Sequence, residues 1–180
     1  GGTVRVGAAH MPGGPSKLLL FGGQRRAAIS DELWAYEPQA DEPWLLLHHD
    51  PAAKQPAPRT QAALAALPPS QPDAPSQMLL FAGYVQDVGE VGESWLLSVA
   101  TNAPVKWELL PCVEGAPAAR YGHSMTSVAR GALVFGGQDG RRQFDDCWLF
   151  DAAGTRWSQV SVPSSPSPRT RHAAVTLGEK

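Results

Sequence analysis

The chain has little of several things, and each shortage removes a class of function. Two cysteines, Cys112 and Cys147, are too few for a disulfide-built secreted scaffold, and both are expected to be reduced. No apolar run approaches the roughly 20 residues that a bilayer-spanning helix needs. The longest are strand-sized, such as Lys17 to Phe21, so the chain reads as soluble, with no membrane insertion. Lys and Arg number 15 against 17 Asp and Glu, a formal net charge of −2, and the pI is near 6.2. Without a basic stripe, nucleic acid is not an expected partner. No G-x-S-x-G elbow, H-E-x-x-H helix or P-loop occurs, so no catalytic residue, cofactor or metal ligand is expected. His48, His49 and Asp50 are adjacent, and neighbours on a strand point to opposite faces, which makes a shared metal ion a poor reading. The cytoplasm is the expected compartment.

What is present is a repeat. KLLLFGG at Lys17 to Gly23, QMLLFAG at Gln77 to Gly83 and ALVFGG at Ala132 to Gly137 are copies of one pattern. Each is followed by two tryptophans, Trp34 and Trp44, Trp95 and Trp107, Trp148 and Trp157, which accounts for all 6 in the chain. A large, rare residue confined to two places in a repeated unit holds that unit together. An arginine opens each copy and a further one: Arg5, Arg59, Arg120 and Arg169. The spacing between copies varies while their internal order does not, so loops carry the length differences.

Within a unit the segments are short, aliphatic and aromatic, and bounded by Pro, Gly, Ser and Asp, as strands are. In the third unit, strand a is expected over Tyr121 to Ala129, b over Ala132 to Phe135, c over Asp146 to Asp151 and d over Arg156 to Val160. None of the 17 prolines falls inside a strand assigned this way. No segment sustains apolar residues at helical spacing. QAALAAL, Gln61 to Leu67, has the highest helical propensity, but its place after a repeated arginine makes it strand a of the second unit. The small pairs Gly22 and Gly23, Ala82 and Gly83, and Gly136 and Gly137 let the backbone turn or approach a neighbour closely.

An R-x-G-H opening, an aliphatic strand ending in F-G-G, an acidic start to a third strand and a tryptophan about ten residues later resemble the kelch repeat. The third unit matches best, through Arg120, Gly122, His123, Phe135, Gly136, Gly137, Asp145, Asp151 and Trp157. The resemblance implies an all-β fold, a β-propeller of four-stranded blades. Units over residues 5–50, 58–111 and 119–162 would be three blades, and 168–180, with strand a at Arg169 to Leu177, the start of a fourth. Kelch propellers usually close with six or seven blades, so the chain is expected to be a segment of a longer protein, its remaining blades supplied by the same or another chain.

The function the resemblance implies is a non-enzymatic scaffold or adaptor for protein interactions. The alternative is a kelch-like enzyme, an oxidase or sugar mutarotase, completed by residues outside this segment. No tyrosine, histidine and cysteine cluster of the oxidase kind is visible, since Tyr36, Tyr84 and Tyr121 sit at unrelated repeat positions. Antiparallel strand order puts the b-to-c and d-to-a connections on one face. There Arg25 and Arg26 in the first unit and Arg141 and Arg142 in the third are candidates to bind an acidic partner segment, with Gln143 and Arg171 in the same set. Asp87, Glu90 and Glu93 of the second unit would alternate the charge. Exposed arginines also simply solvate a rim, and that reading stays open. The repeated arginines, and His123 and His172 at a shared repeat position, read as structural. Two long inserts lie in unit two, Pro68 to Gln77 and Tyr84 to Glu93; the first, expected on the face opposite the arginine loops, is either a partner contact or a tolerated loop.

Overall fold

The computed structural model describes residues 7–10, 17–71, 74–100 and 103–177; Arg5 lies outside them. The described residues form sixteen strands and no helix. The first unit contributes β1 (Gly7–His10), β2 (Leu18–Phe21), the short pair β3 (Gln24–Arg25) and β4 (Ala28–Ile29), β5 (Leu33–Tyr36) and β6 (Trp44–Leu47). The second contributes β7 (Ala63–Ala66), β8 (Ser76–Phe81), the pair β9 (Tyr84–Val85) and β10 (Gly89–Glu90), β11 (Ser94–Val99) and β12 (Lys106–Leu109). The third is β13 (Ser124–Val128), β14 (Gly131–Phe135), β15 (Cys147–Asp151) and β16 (Arg156–Val160).

Each unit is one antiparallel four-stranded sheet in chain order: β1-β2-β5-β6, β7-β8-β11-β12 and β13-β14-β15-β16. The two short pairs are ribbons standing in the b-to-c connections of units one and two. Sequential meanders of this kind, with sheet faces stacked on one another, are the blades of a propeller. The all-β expectation therefore holds, and no strand contains a proline.

The stacking explains the one ambiguous segment. The middle sheet is covered on both faces, so its strands need no polar side. Leu64 and Ala66 pack with Leu19, Phe21 and Leu33 of the first sheet, whereas Ala65 and Leu67 pack with Ala132 and Phe150 of the third. QAALAAL thus loses the alternation that marks a half-buried strand, yet pairs as β7 with β8 in the register Ala65↔Leu79. In β5, by contrast, buried Leu33 and Ala35 alternate with Trp34 and Tyr36, which are only half-buried.

The two tryptophans of each unit do different work. The second ones cross between sheets: Trp107 packs on Phe21 at 5.0 Å between ring centroids, and Trp157 on Phe81 at 4.8 Å. Trp157 also donates its indole N–H to Ser94 Oγ at 3.1 Å. Trp44 meets no preceding sheet among the described residues; it stacks on Tyr36 of its own sheet and is 46% exposed.

In unit three strand a ends at Val128, strand b starts at Gly131 and strand c at Cys147, each one residue from the sequence reading, and two differences are larger. Strand a of unit three starts at Ser124 rather than Tyr121, because Gly122 takes a left-handed conformation (φ 68°) that a ladder cannot continue through. Arg169 to Leu177, expected as strand a of a fourth unit, forms no strand. It is nonetheless docked: Thr176 Oγ1 donates to Ser127 O, and Arg169 N donates to Phe144 O at 3.1 Å. Cys112 and Cys147 are both free.

Since Trp107 is 9% exposed inside the junction and Trp44 is not, Trp107→Ala should lower unfolding stability by about 3 to 5 kcal/mol. Trp44→Ala should cost less than about half of that in the same urea titration.

Candidate functional site

The site is set by what happens where one sheet ends and the next begins. Arg59 and Arg120, each in a d-to-a connection, are 1% and 0% exposed. A guanidinium keeps its charge in proteins, so burial requires an acid and satisfied N–H groups. Arg120 meets both needs. Its Nη1 and Nη2 form a fork with Asp146 Oδ1 and Oδ2 at 2.6 and 2.9 Å. Nη1 also donates to Gly136 O at 2.9 Å, Nε donates to Ala118 O at 3.0 Å, and the group lies 4.1 Å over the Phe144 ring. Arg59 repeats the arrangement with Glu93 Oε2 at 2.6 Å, Ala82 O and Ala57 O.

The first tryptophan of each unit completes this set. Trp95 Nε1 donates to Glu93 at 3.0 Å, Trp148 Nε1 to Asp146 at 2.7 Å and Trp34 Nε1 to Glu32 at 2.9 Å. The acid always lies two residues before the tryptophan, a spacing that puts both side chains on one face of an extended chain. Burial alone would raise the carboxyls of Asp146 and Glu93. Hydrogen bonds from the arginine and the indole, with the guanidinium charge, outweigh it and hold both below the usual carboxylate range.

While the arginine side chain enters its own unit, its backbone is bonded to the previous one. Gly23 N donates to Arg59 O at 2.9 Å, Gly83 N to Arg120 O at 2.9 Å and Gly137 N to Arg169 O at 2.8 Å. The first position of the pair is left-handed too: Gly136 has φ 65°, where a Cβ would fall 2.7 Å from Arg169 O, and unit two holds Ala82 in the same conformation at φ 60°. The arginine is thus a staple between sheets.

Fixing the arginines fixes the residues that follow them at the mouth between sheets. Thr60 and Gln61, Tyr121 and Gly122, and Thr170 and Arg171 are the successive pairs. The second member is left-handed each time, with φ of 57°, 68° and 62°. These three form a relay, Gly122 N donating to Gln61 O at 3.0 Å and Arg171 N to Gly122 O at 2.6 Å. A left-handed conformation is unfavourable for glutamine and arginine, and such residues concentrate at functional positions.

A cavity of about 430 Å³ opens at this mouth. It is lined by Gln24, Ala27 and Ile29 of the first ribbon, Tyr84 and Gln86 of the second, and Thr60, Gln61, Tyr121 and Arg171 of the d-to-a connections. Tyr84 and Tyr121 meet edge to face at 5.7 Å. Among the described residues Arg171 is the one charged lining residue, and its Nε donates to Gln61 Oε1 at 3.2 Å. Amides, hydroxyls, two phenols and one cation suit hydrogen-bonded recognition of a polar or acidic group.

Of the residues singled out in the sequence, Arg171 lines this cavity. Arg25 and Arg26 sit exposed in the first ribbon between Gln24 and Ala27, which line it, but are not themselves part of the wall. Arg141, Arg142 and Gln143 form a separate turn built on Asp139, whose Oδ1 accepts from Arg141 N and Arg142 N at 3.0 and 2.8 Å. Arg142 lies 5.0 Å over Phe144, and Gln143 bridges Gln138. Glu93, read as a loop charge, is the partner of Arg59, which leaves Asp87 and Glu90 as the acids of the second ribbon. The cavity wall at Gln61, Tyr84 and Tyr121 was not singled out. The position two after a repeated arginine marks Gln61, as it marks Arg171, but no repeated feature marks Tyr84.

His123 is buried at the second junction, edge-on to Phe81 at 5.4 Å, with neither ring nitrogen hydrogen-bonded. Burial, aided by the charges of Arg120 and His172, pushes its pKa down to about 3. His172 is shifted down too, by burial and the Arg169 charge, and shares a 2.8 Å hydrogen bond with Ser124 Oγ. Neither lines the cavity.

Stacked four-stranded meanders joined by buried arginines define a segment of a β-propeller. The chain belongs to the kelch-repeat family: the sequence model of the KLHDC2/KLHL20/DRC7 Kelch-repeats domain matches residues 8–180. Similar curated proteins include acyl-CoA-binding domain-containing protein 4 of Arabidopsis thaliana, 31% identical over 58% of this chain and 16% of that protein. A probable serine/threonine-protein kinase of Dictyostelium discoideum is 32% identical over 58% of this chain and 8% of its own length. An F-box/kelch-repeat protein of Arabidopsis thaliana is 28% identical over 57% of this chain and 23% of its length. The chain therefore spans less than a quarter of these relatives.

The buried groups fix a pH dependence. A histidine whose folded pKa is depressed stays neutral while the unfolded chain takes up a proton, so its stabilisation is whole above about pH 6.5 and lost as pH falls toward about 3. The expected slope from His123 is about 1.4 kcal/mol per pH unit in that window, and His172 adds in the same direction. Asp146 and Glu93 add a further loss only below the ordinary carboxylate range, near pH 4. Urea midpoints measured from pH 7 to 5 should fall for the native chain and fall less for His123→Leu.

Proposed function

We propose that the chain is a non-catalytic interaction scaffold that holds an acidic segment of a protein partner at the cavity face. Kelch repeats commonly serve protein interactions, which supports the class of function. The finer reading rests on one observation, the placement of Arg171 as the single charged wall residue, its Nε held by Gln61 and its fork unpaired with any acid among the described residues. A held guanidinium loses less freedom on pairing with a carboxylate than a free one does. Arg25 and Arg26, on the adjoining ribbon, raise the local positive potential and steer the same partner. The lining offers no pairing of a nucleophile with a general base, so nothing in it favours the enzymatic reading. On this reading the blades belong to a larger propeller, and the residues that follow the junction arginines, together with the ribbon loops beside them, carry specificity.

A random peptide display library selected on the native chain tests this. Enrichment of Asp and Glu is expected, and Arg171→Glu should weaken the selected peptides at least tenfold in fluorescence anisotropy while the thermal melt stays unchanged. Selected peptides without acidic enrichment, or equal binding by the variant, would remove this face from consideration.

A further inference from the structure

We propose that Ser167 is a phosphorylation site, modified by a proline-directed serine kinase, whose phosphate is received by Arg169. In all three described junctions the repeated arginine donates its Nε to the carbonyl of the residue two before it: Ala57 at 3.1 Å, Ala118 at 3.0 Å and Ser167 at 3.0 Å. Only at the third is that residue able to carry a modification. Its hydroxyl already lies 3.2 Å from Arg169 Nη2.

The position is accessible by design of the junction. Ala57 and Ala118 are exposed although the next sheet is in place and buries Arg59 and Arg120 beside them. A further blade would thus leave Ser167 open to solvent. Residues 161–169 are exposed throughout and form neither helix nor strand. Ser165 and Ser167 each precede a proline, Pro166 and Pro168, which disfavours helical backbone at the serine and holds it extended, the form in which a kinase cleft takes its substrate.

In the reaction Ser167 Oγ attacks the γ-phosphorus of a nucleoside triphosphate supplied with the kinase. The bond from that phosphorus to the bridging oxygen breaks, the nucleoside diphosphate leaves, and the hydroxyl proton passes to the kinase's base. The product carries a charge of about −1.5 to −2 and three acceptor oxygens against a guanidinium whose side-chain bonds are to Ser167 itself. Arg59 and Arg120 spend their forks on an acid of their own unit. The phosphate offers Arg169 a competing anion, so modification would redirect this one staple while leaving the other two alone.

The test treats the whole chain with a proline-directed serine kinase and ATP, maps the product by mass spectrometry, and follows the phosphate by phosphorus NMR against pH. A phosphate on Ser167 that is absent in Ser167→Ala is expected. Its second pKa, ordinarily about 6, should lie about half a unit or more lower than in Arg169→Gln, because the nearby cation favours the dianion. No phosphate on Ser167, phosphate on Ser165 alone, or the same pKa with and without Arg169 would each overturn the proposal.

Discussion

A guanidinium buried at each junction between sheets is the constraint on which the remaining geometry depends. Arg59 and Arg120 cannot shed their charge, and burying it unpaired would cost several kcal/mol. An acid must therefore stand where Glu93 and Asp146 stand, and the indole two residues on must hold that acid in place. The carbonyl of the residue before the second glycine of the pair must also face the arginine, which is what the left-handed conformations of Ala82 and Gly136 achieve. Arginine, acid, tryptophan and small-residue pair are four visible parts of one interaction.

The same constraint separates architecture from recognition. Because the arginine backbone is bonded to the preceding sheet and its side chain to the following one, the two residues after it have little freedom in position. Their identities are free to differ: Thr60 and Gln61, Tyr121 and Gly122, Thr170 and Arg171 hold equivalent places with different chemistry. A rigid frame carrying variable side chains at one mouth is the arrangement that interaction folds use. The kelch-repeat relatives fit this picture, since the chain matches only small parts of proteins whose names describe very different machinery.

Much of the fold was legible because the repeat writes it three times. The F-G-G copies, paired tryptophans and arginines located the sheets, and the strands fell between the prolines. QAALAAL was legible only by its place in the repeat, because burial on both faces had erased its alternation. The candidate site was less so. Arg171 was singled out among exposed arginines, but Gln61 and Tyr121 carry no motif, and the walls they form come from segments far apart in the chain. Arg141 and Arg142 resembled Arg25 and Arg26 in sequence, yet the turn made by Asp139 gives them a different setting. The triplet of acid, any residue, tryptophan at Glu32, Glu93 and Asp146 was present throughout; its meaning appears once the partner arginine is known.

The most direct measurement is a double-mutant cycle on the staple itself, with Arg120→Met, Asp146→Leu and the pair compared by urea unfolding. Each single variant leaves one charge buried alone, whereas the double leaves none. A coupling of about 2 to 3 kcal/mol is expected, with the double variant more stable than at least one of the singles. Additive losses, with coupling near zero, would contradict the view that this ion pair fixes the arginine whose backbone joins the sheets.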